Sequence, residues 1–501
     1  MTSRLPTAVA AIVAGMLAIS ACRYILPERY AVNAPLRHLV WGTGVDAAPP
    51  DILHERLHTP PGFSVSLYAD NLEGARFLRS TPAGDLLLSQ PRAGRIALLE
   101  RDADGDGHPD GVRTLVGDLN KPHGLDVHDG WLYVAETDAV GRIRFDPKTR
   151  ATTGAFTRLV TGIPTSHHWT RTVRIGADGF MYVSIGSSCN VCIEEDHRRA
   201  AIVRYNLDGS GEEIYATGLR NAVGFDWQPG TGDLYATDNG RDLLGDNFPP
   251  CELDRVVKGG FYGFPFANGD RVPDPDFGKG HEADIARSIP PAHGFRAHNA
   301  PLGITFVRNP KAPADLPGAA LVALHGSWNR TKKDGYKVVS LHWQDDGAIV
   351  ERDFLWGFEK DENVIGRPVD VAEGPDGAFY VSDDYAGAIY RVAYGGQSTA
   401  NIAHAQTSTI ADPLSVLPPD ERAARRDRGA ALFERTGCPT CHVQGRAAPG
   451  ETARPLTHLS SRYTVDALVT FFDAPTPPMP RFDLPAEQRR DLAVYVLSTY
   501  P

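Results

Sequence analysis

One short pattern recurs six times and limits the possible folds more than any other feature of the chain. A glycine is followed by a short run of strand-forming residues: GDLLLSQ from Gly84, GWLYVAE from Gly130, GFMYVSI from Gly179, GDLYATD from Gly232, GAALVAL from Gly318 and GAFYVSD from Gly377. A second strand-like run precedes five of them: GLDVHD, TVRIGAD, GFDWQPG, GITFVRN and PVDVAEG. Successive copies start 46, 49, 53, 86 and 59 residues apart. Small sheets at this period cannot bury a core singly, but they can stack on one another around a ring. The pattern predicts an all-β, six-bladed propeller over 56–396. The step of 86 residues contains an insertion rich in Pro, Gly, Asp and His, 266–300, expected to be a long loop over one face.

The flanks follow other rules. At the N-terminus, Arg4 precedes the apolar run AVAAIVAGMLAIS, and small residues lead to Cys22. This predicts an export signal of lipoprotein type over 1–22, with Cys22 lipid-anchored to the membrane and the chain periplasmic. An uncleaved N-terminal anchor is the alternative, and it exports the chain as well. Residues 23–55 read as a linker. A polar, small-residue stretch over 397–420 reads as a second linker, and from 421 to 501 the apolar spacing becomes helical.

Within that last segment stands ERTGCPTCHVQG. Cys438 and Cys441, followed by His442, form the C-x-x-C-H signature that attaches a c-type haem. His442 would ligate the iron from one side, and Met479, in TPPMPRF, from the other. Such ligation suits electron transfer to a downstream acceptor. The prediction is a small all-α cytochrome c domain over 421–501. Cys189, Cys192 and Cys251 remain. In an oxidising compartment two of them are expected to pair, and a zinc site would lack a clear fourth ligand. A net charge of -11 gives no footing for nucleic acid.

DADGDGHPDG offers Asp102, Asp104, Asp106 and Asp110, with Gly107 at a sharp turn. Alternating carboxylates of this kind suit Ca²⁺, although the twelfth position is Arg113 rather than Glu.

HHWTRTVRIGADGFMYVSIG, GLRNAVGFDW, YATDNGRD, CELDRVVKGGFYGFP and GRPVDVAEGPDGAFYVSD occur in that order. Together they resemble the soluble quinoprotein sugar dehydrogenases, the sorbosone-dehydrogenase-like and aldose sugar dehydrogenase proteins, over about 60 to 395. The tail resembles the cytochrome c extension of some members. The resemblance implies pyrroloquinoline quinone (PQQ) and Ca²⁺ as cofactors and His168 as catalytic base. A neutral imidazole suits removal of a hydroxyl proton. His167 is a departure where relatives often carry an acid. Arg220 and Asn221 match a pair that contacts the quinone, and Arg367 a second cofactor arginine. Val369 stands where relatives often have another arginine, which Arg330 could replace. His325 stands about where some relatives place a cofactor-binding lysine. Gly240 and Arg241 match main-chain carbonyls that hold calcium beside the quinone. His123 is expected to contact substrate.

The resulting expectation is an exported quinohaemoprotein dehydrogenase that oxidises a sugar or related hydroxy-aldehyde. One rival is a propeller lactonase with one calcium held in the central channel, to which Glu136 and Asp238 could contribute. The other is a non-enzymatic sugar-binding propeller that carries a cytochrome.

Overall fold

The computed structural model describes residues 27–35, 44–310, 312–313, 315–395, 414, 417–442 and parts of 456–500. Cys22 and the export segment lie outside the described residues. The chain divides into two units, one through residue 398 and one from 399.

In the first unit each recurring run forms the second strand of a blade of four antiparallel strands: Leu86–Gln90, Trp131–Ala135, Met181–Ile185, Leu234–Asp238, Ala320–Leu324 and Phe379–Asp383; the third blade adds the short parallel strand Gly260–Phe261 at its outer edge. Almost every residue in these strands is buried. Such a strand is flanked within its sheet and covered on both faces, hence its apolar composition. The glycine before each run has positive φ, from +72° at Gly130 to +95° at Gly84. The tight turn into the strand needs a left-handed residue, which explains the conserved spacing of the pattern.

The innermost strands are Leu78–Ser80, Leu125–His128, Arg171–Ile175, Ala222–Trp227, Pro301–Phe306 and Pro368–Glu373, one for each of blades 1 to 6. Aspartates in blades 2, 4 and 6 tie the blades in pairs. Asp126 Oδ2 accepts from Ile175 N (2.8 Å), Asp226 Oδ2 from Phe306 N (2.9 Å) and Asp370 Oδ2 from Leu78 N (2.9 Å). Arg79 and Arg174 lie between these carboxylates, Arg174 at 3.1 Å from Asp226. Buried carboxylates persist when paired and hydrogen-bonded in this way. The N-terminal strand Phe63–Ala69 pairs with Ala388–Tyr394 as the outer strand of blade 6. Both ends of the repeat are thereby locked in one sheet, and the ring closes.

The insertion is more ordered than a loop. It contains the hairpin Ala267–Asn268/Val272–Pro273 and the helix Glu282–Arg287. It also contains His293–Phe295, the outer strand of blade 4, paired to Cys251–Val256. A strand of three residues is too short to leave a readable pattern.

The second unit is helical where described: Pro419–Arg435, Pro439–His442, Val465–Asp473 and Ala486–Thr499. Its core gathers Leu432, Phe433, Cys438, Leu468, Phe472 and Leu492. A Cβ on Gly429 would stand 2.1 Å from Asp491 O, so the first and last helices touch at a point only glycine permits.

Candidate active site

The topology places the titratable residues at one end of the ring. Arg76, His123, His168, Arg220 with Asn221, and Arg367 each lie directly or a few residues before an inner strand. Ser187, Asn239, His325 and Asp384 lie just after the antiparallel second strands, which end on the same side.

On the side of blades 3 and 4, His168 Nδ1 is 2.9 Å from both the carbonyl oxygen and Oγ of Ser187. A carbonyl oxygen only accepts, so Nδ1 carries the hydrogen and Nε2 the lone pair. Nε2 has no hydrogen-bond partner among the described residues. Burial, with Arg220 and then His167 adding to it, pushes the imidazole down to about 2, so it stays neutral at working pH. The Gly186 Cα lies against this ring and Asn221. A Cβ there would stand 2.9 Å from the His168 Cβ and 2.4 Å from Asn221 Oδ1. That Oδ1 is buried and has no partner among the described residues. An unmatched buried amide oxygen is costly unless a ligand satisfies it. Arg220 is buried, and its donors end on Asn190 O and Oδ1, Asn239 O, Gly240 O and Asp242 Oδ2.

On the side of blades 5, 6 and 1 a relay of buried groups runs from His325 through Asp384 to Arg76 and His123. His325 Nε2 meets Asp384 Oδ1 at 2.8 Å, and Arg76 Nη1 meets Asp384 Oδ2 at 2.7 Å. Arg76 Nη2 donates to His123 Nε2 at 3.2 Å. Burial, with Arg367 beside it, holds His325 down to about 3. His325 and Arg76 hold the Asp384 carboxyl well below its usual range against the cost of burial. Arg367 donates from Nε and Nη2 to the His325 and Gly326 carbonyls, each at 3.1 Å. Its Nη1 has no acceptor among the described residues. Arg76 also lies 5.6 Å from the Trp169 ring.

Arg76, Asp384, Ser187 and Trp169 were missed by sequence reasoning. Their positions in the repeat, before an inner strand or after a second one, are the signal that would have found them. Several expectations need correction. His123 is fully buried and both of its nitrogens are engaged, Nδ1 to Arg171 O at 3.3 Å, so it supports Arg76 instead of contacting substrate. Arg330 binds Asp246 O and Ala297 O (3.1 Å), holding loops together, and does not replace the arginine missing at Val369. Val369 itself is packed in the core with Phe77 and Leu125. The Arg241 side chain is buried on Asp274 (2.7 and 2.6 Å) and anchors the inserted hairpin. The Gly240 carbonyl already accepts from Arg220 Nη1 at 3.0 Å. A carbonyl oxygen has two lone pairs, and the expected calcium contact uses the main-chain oxygens of Gly240 and Arg241, so the Arg241 side-chain bonds bear on the hairpin alone.

Other carboxylates gather elsewhere. Asp102, Asp104 and Asp106 bring oxygens within 4.8 Å of one another on an exposed turn, whereas Asp110 binds Ala103 N instead. Asp238, Glu252 and Asp254 do the same while buried, and both oxygens of Asp254 lack a partner among the described residues. This second set could hold a divalent cation, but it comes from two adjacent strands of blade 4 and not from several blades around a channel. Glu136 is bound by Arg158 at 2.6 and 2.7 Å. The central calcium of a lactonase therefore has no ligand set among the described residues.

Cys189 and Cys192 form a disulfide, and Cys251 is a buried free thiol. In the second unit Cys438 and Cys441 are both free thiols. They occupy one helical turn with His442, whose N–H donates to Cys438 O at 3.1 Å. Cys438 is in the core, and Met479 packs on that core from its edge. Two unpaired thiols beside a histidine on one turn fit covalent haem attachment.

The TrAA12-like family model matches residues 57–250 and 279–395 and skips the stretch that contains the inserted hairpin. An uncharacterised protein of Borreliella burgdorferi is 31% identical over 355 residues, which cover 68% of this chain and 91% of that protein. A pyrroloquinoline quinone-dependent pyranose dehydrogenase of Coprinopsis cinerea is 25% identical over 67% of this chain, and the chain spans 54% of that enzyme's length. Among solved structures, the holo PQQ domain of Coprinopsis cinerea pyranose dehydrogenase superposes with a TM-score of 0.58 at 23% identity, covering 67% of this chain and 97% of that one. The calcium structure of a Trichoderma reesei Family AA12 protein gives 0.60 at 20% identity, covering 70% and 99%. These likenesses establish the propeller fold, and the family match across well over half of the chain establishes that it belongs to the TrAA12-like family.

Proposed function

We propose that the protein is an exported quinohaemoprotein dehydrogenase that oxidises the hydroxyl of a sugar or related hydroxy-aldehyde, with PQQ on the propeller and a c-type haem on the second unit. The PQQ-dependent relatives support the oxidant, and one observation carries the chemistry. A neutral histidine, His168, has its Nδ1–H fixed by Ser187 and its Nε2 lone pair unengaged, next to an amide oxygen that lacks a partner.

PQQ, when bound, supplies a two-electron acceptor and three carboxylates. Arg367 would hold a carboxylate with the nitrogen it does not use internally. Asn221 Oδ1 would accept from the bound group. His168 Nε2 would take the substrate hydroxyl proton, as a general base whose lone pair faces the site. Arg220 keeps the carbonyls of Asn239 and Gly240 in place beside it. On the second unit, Cys438 and Cys441 would hold a haem by thioether bonds, with His442 and Met479 on the iron, and such a group supplies one-electron chemistry. Export and lipid anchoring at Cys22 place the reaction in the periplasm, with an external electron acceptor.

The test uses apo-protein given PQQ and a panel of aldoses and hydroxy-aldehydes, followed at the haem absorbance. Substrate-dependent haem reduction is expected, and His168→Ala should lower its rate by about 10²–10⁴-fold with an unchanged haem spectrum. No reduction with any member of the panel would overturn the reading.

A further inference from the structure

The disulfide closes the loop 187–194, SSCNVCIE, and one residue between the two cysteines makes an unusual set of bonds. Asn190 O accepts from Arg220 Nε at 2.8 Å, and Asn190 Oδ1 accepts from Arg220 Nη2 at 2.9 Å. The same Oδ1 accepts from Asp242 N at 2.9 Å, while Asn190 Nδ2 donates to Asp242 O at 3.2 Å. One carboxamide therefore fixes a guanidinium and the main chain of the 239–242 loop together. Only an amide side chain both donates and accepts at that reach.

The loop also touches the base. Ser187 N donates to Arg220 O at 2.8 Å, and Ser187 Oγ donates to Cys189 O at 2.8 Å. Ser187 Oγ has one hydrogen, already placed on Cys189, so toward His168 it can only accept. The Cys189 carbonyl thus supports the same His168 tautomer as the Ser187 carbonyl. The disulfide spans Cα atoms 6.2 Å apart and restricts the three-residue step that carries Asn190.

We propose that Asn190, held between Cys189 and Cys192, is a positioning residue that aims Arg220 and shapes the 239–242 carbonyl row beside His168. Its activity arm rests on the dehydrogenase reading; its structural arm does not. The disulfide is the frame of this clip, and opening it loosens both halves of the site.

Two measurements test the clip. Hydrogen exchange read by mass spectrometry on peptides covering 218–222 and 239–243 reports the clip with no cofactor present. Asn190→Ala should speed exchange by about tenfold or more in the 239–243 peptide, because the Asp242 N–H loses its acceptor, and by less in 218–222, where only the Arg220 side chain loses a partner. Dithiothreitol, which delivers two electrons and two protons to give two thiols and becomes a cyclic disulfide, should act likewise, as should the double variant Cys189→Ser/Cys192→Ser. In the PQQ-loaded protein Asn190→Ala should lower kcat by about 10²-fold with KM changed far less, as expected of a misplaced group. Asn190→Asp, which keeps the oxygens that accept from Arg220 and Asp242 N but loses the donor to Asp242 O, should recover only part of that loss. Unchanged exchange in Asn190→Ala overturns the proposal, as does unchanged kcat in a turning-over enzyme. If the wild type turns over no substrate, the dehydrogenase reading falls and the exchange result still decides the clip.

Discussion

Two arginines stand at neighbouring places in the repeat, Arg220 two residues before the inner strand of blade 4 and Arg367 one residue before that of blade 6. Sequence resemblance gives both the same task. In the structure they differ. Arg220 directs its donors to Asn190, Asn239, Gly240 and Asp242, and so organises protein. Arg367 directs only Nε and Nη2 inward, to two carbonyls, and leaves Nη1 uncommitted. The first is a brace and the second a brace with one donor to spare among the described residues. Residue type at a repeat position does not decide between these uses; the count of local acceptors does.

The sharpest way to break this comparison is Arg220→Ala. It orphans the buried carbonyls and leaves the Asp242 carboxylate only His298, so a stability loss of about 3–5 kcal/mol is expected by chemical denaturation. Arg367→Ala should cost far less stability. Its effect belongs in cofactor affinity, weakened by about 10–100-fold for PQQ in a titration, the worth of one charged hydrogen bond. Equal stability losses in the two variants would erase the distinction.

A smaller effect sharpens the Arg367 side. His325 is held down to about 3 in the folded protein, against about 6.5 when unfolded. Below pH 6.5 the unfolded chain binds a proton that the folded chain refuses, so this contribution to stability is lost as pH falls from 6.5 toward 3. The stability of wild type relative to His325→Gln should therefore decline between pH 6.5 and 4, by up to about 1.4 kcal/mol per pH unit. Asp384 is depressed instead, so its contribution is lost only below the ordinary carboxylate range and does not mask the window. A flat difference would mean that His325 is protonated alongside Asp384.

Much of the propeller was legible because its signal is local. Six glycines at positive φ and six buried second strands are properties of short segments, and the chain displays them directly. Blade 1 shows the limit. Its inner strand Leu78–Ser80 has three residues, too few for a pattern, so Arg76 just before it escaped notice. The outer strand of blade 4, His293–Phe295, reads as loop in the sequence for the same reason. The site divides in the same way. His168 was readable from the motif around it, but nothing in KPHGLDV says that His123 is fully buried with both nitrogens engaged. The sequence alone admits Arg330 as a cofactor contact, but its partners, Asp246 and Ala297, lie 84 and 33 residues away in the chain.

The sequence by itself determined the strand rhythm, the number of blades, the thiol pair with its histidine, and the ring positions at which charged residues recur. Backbone pattern and turn chemistry act over a few residues and need no distant partner. The tertiary structure alone decided which cysteines pair, which histidines are closed off, and which arginine keeps a free donor. Each of those depends on acceptors and burial supplied by segments far apart in the chain, which meet only once the ring has closed.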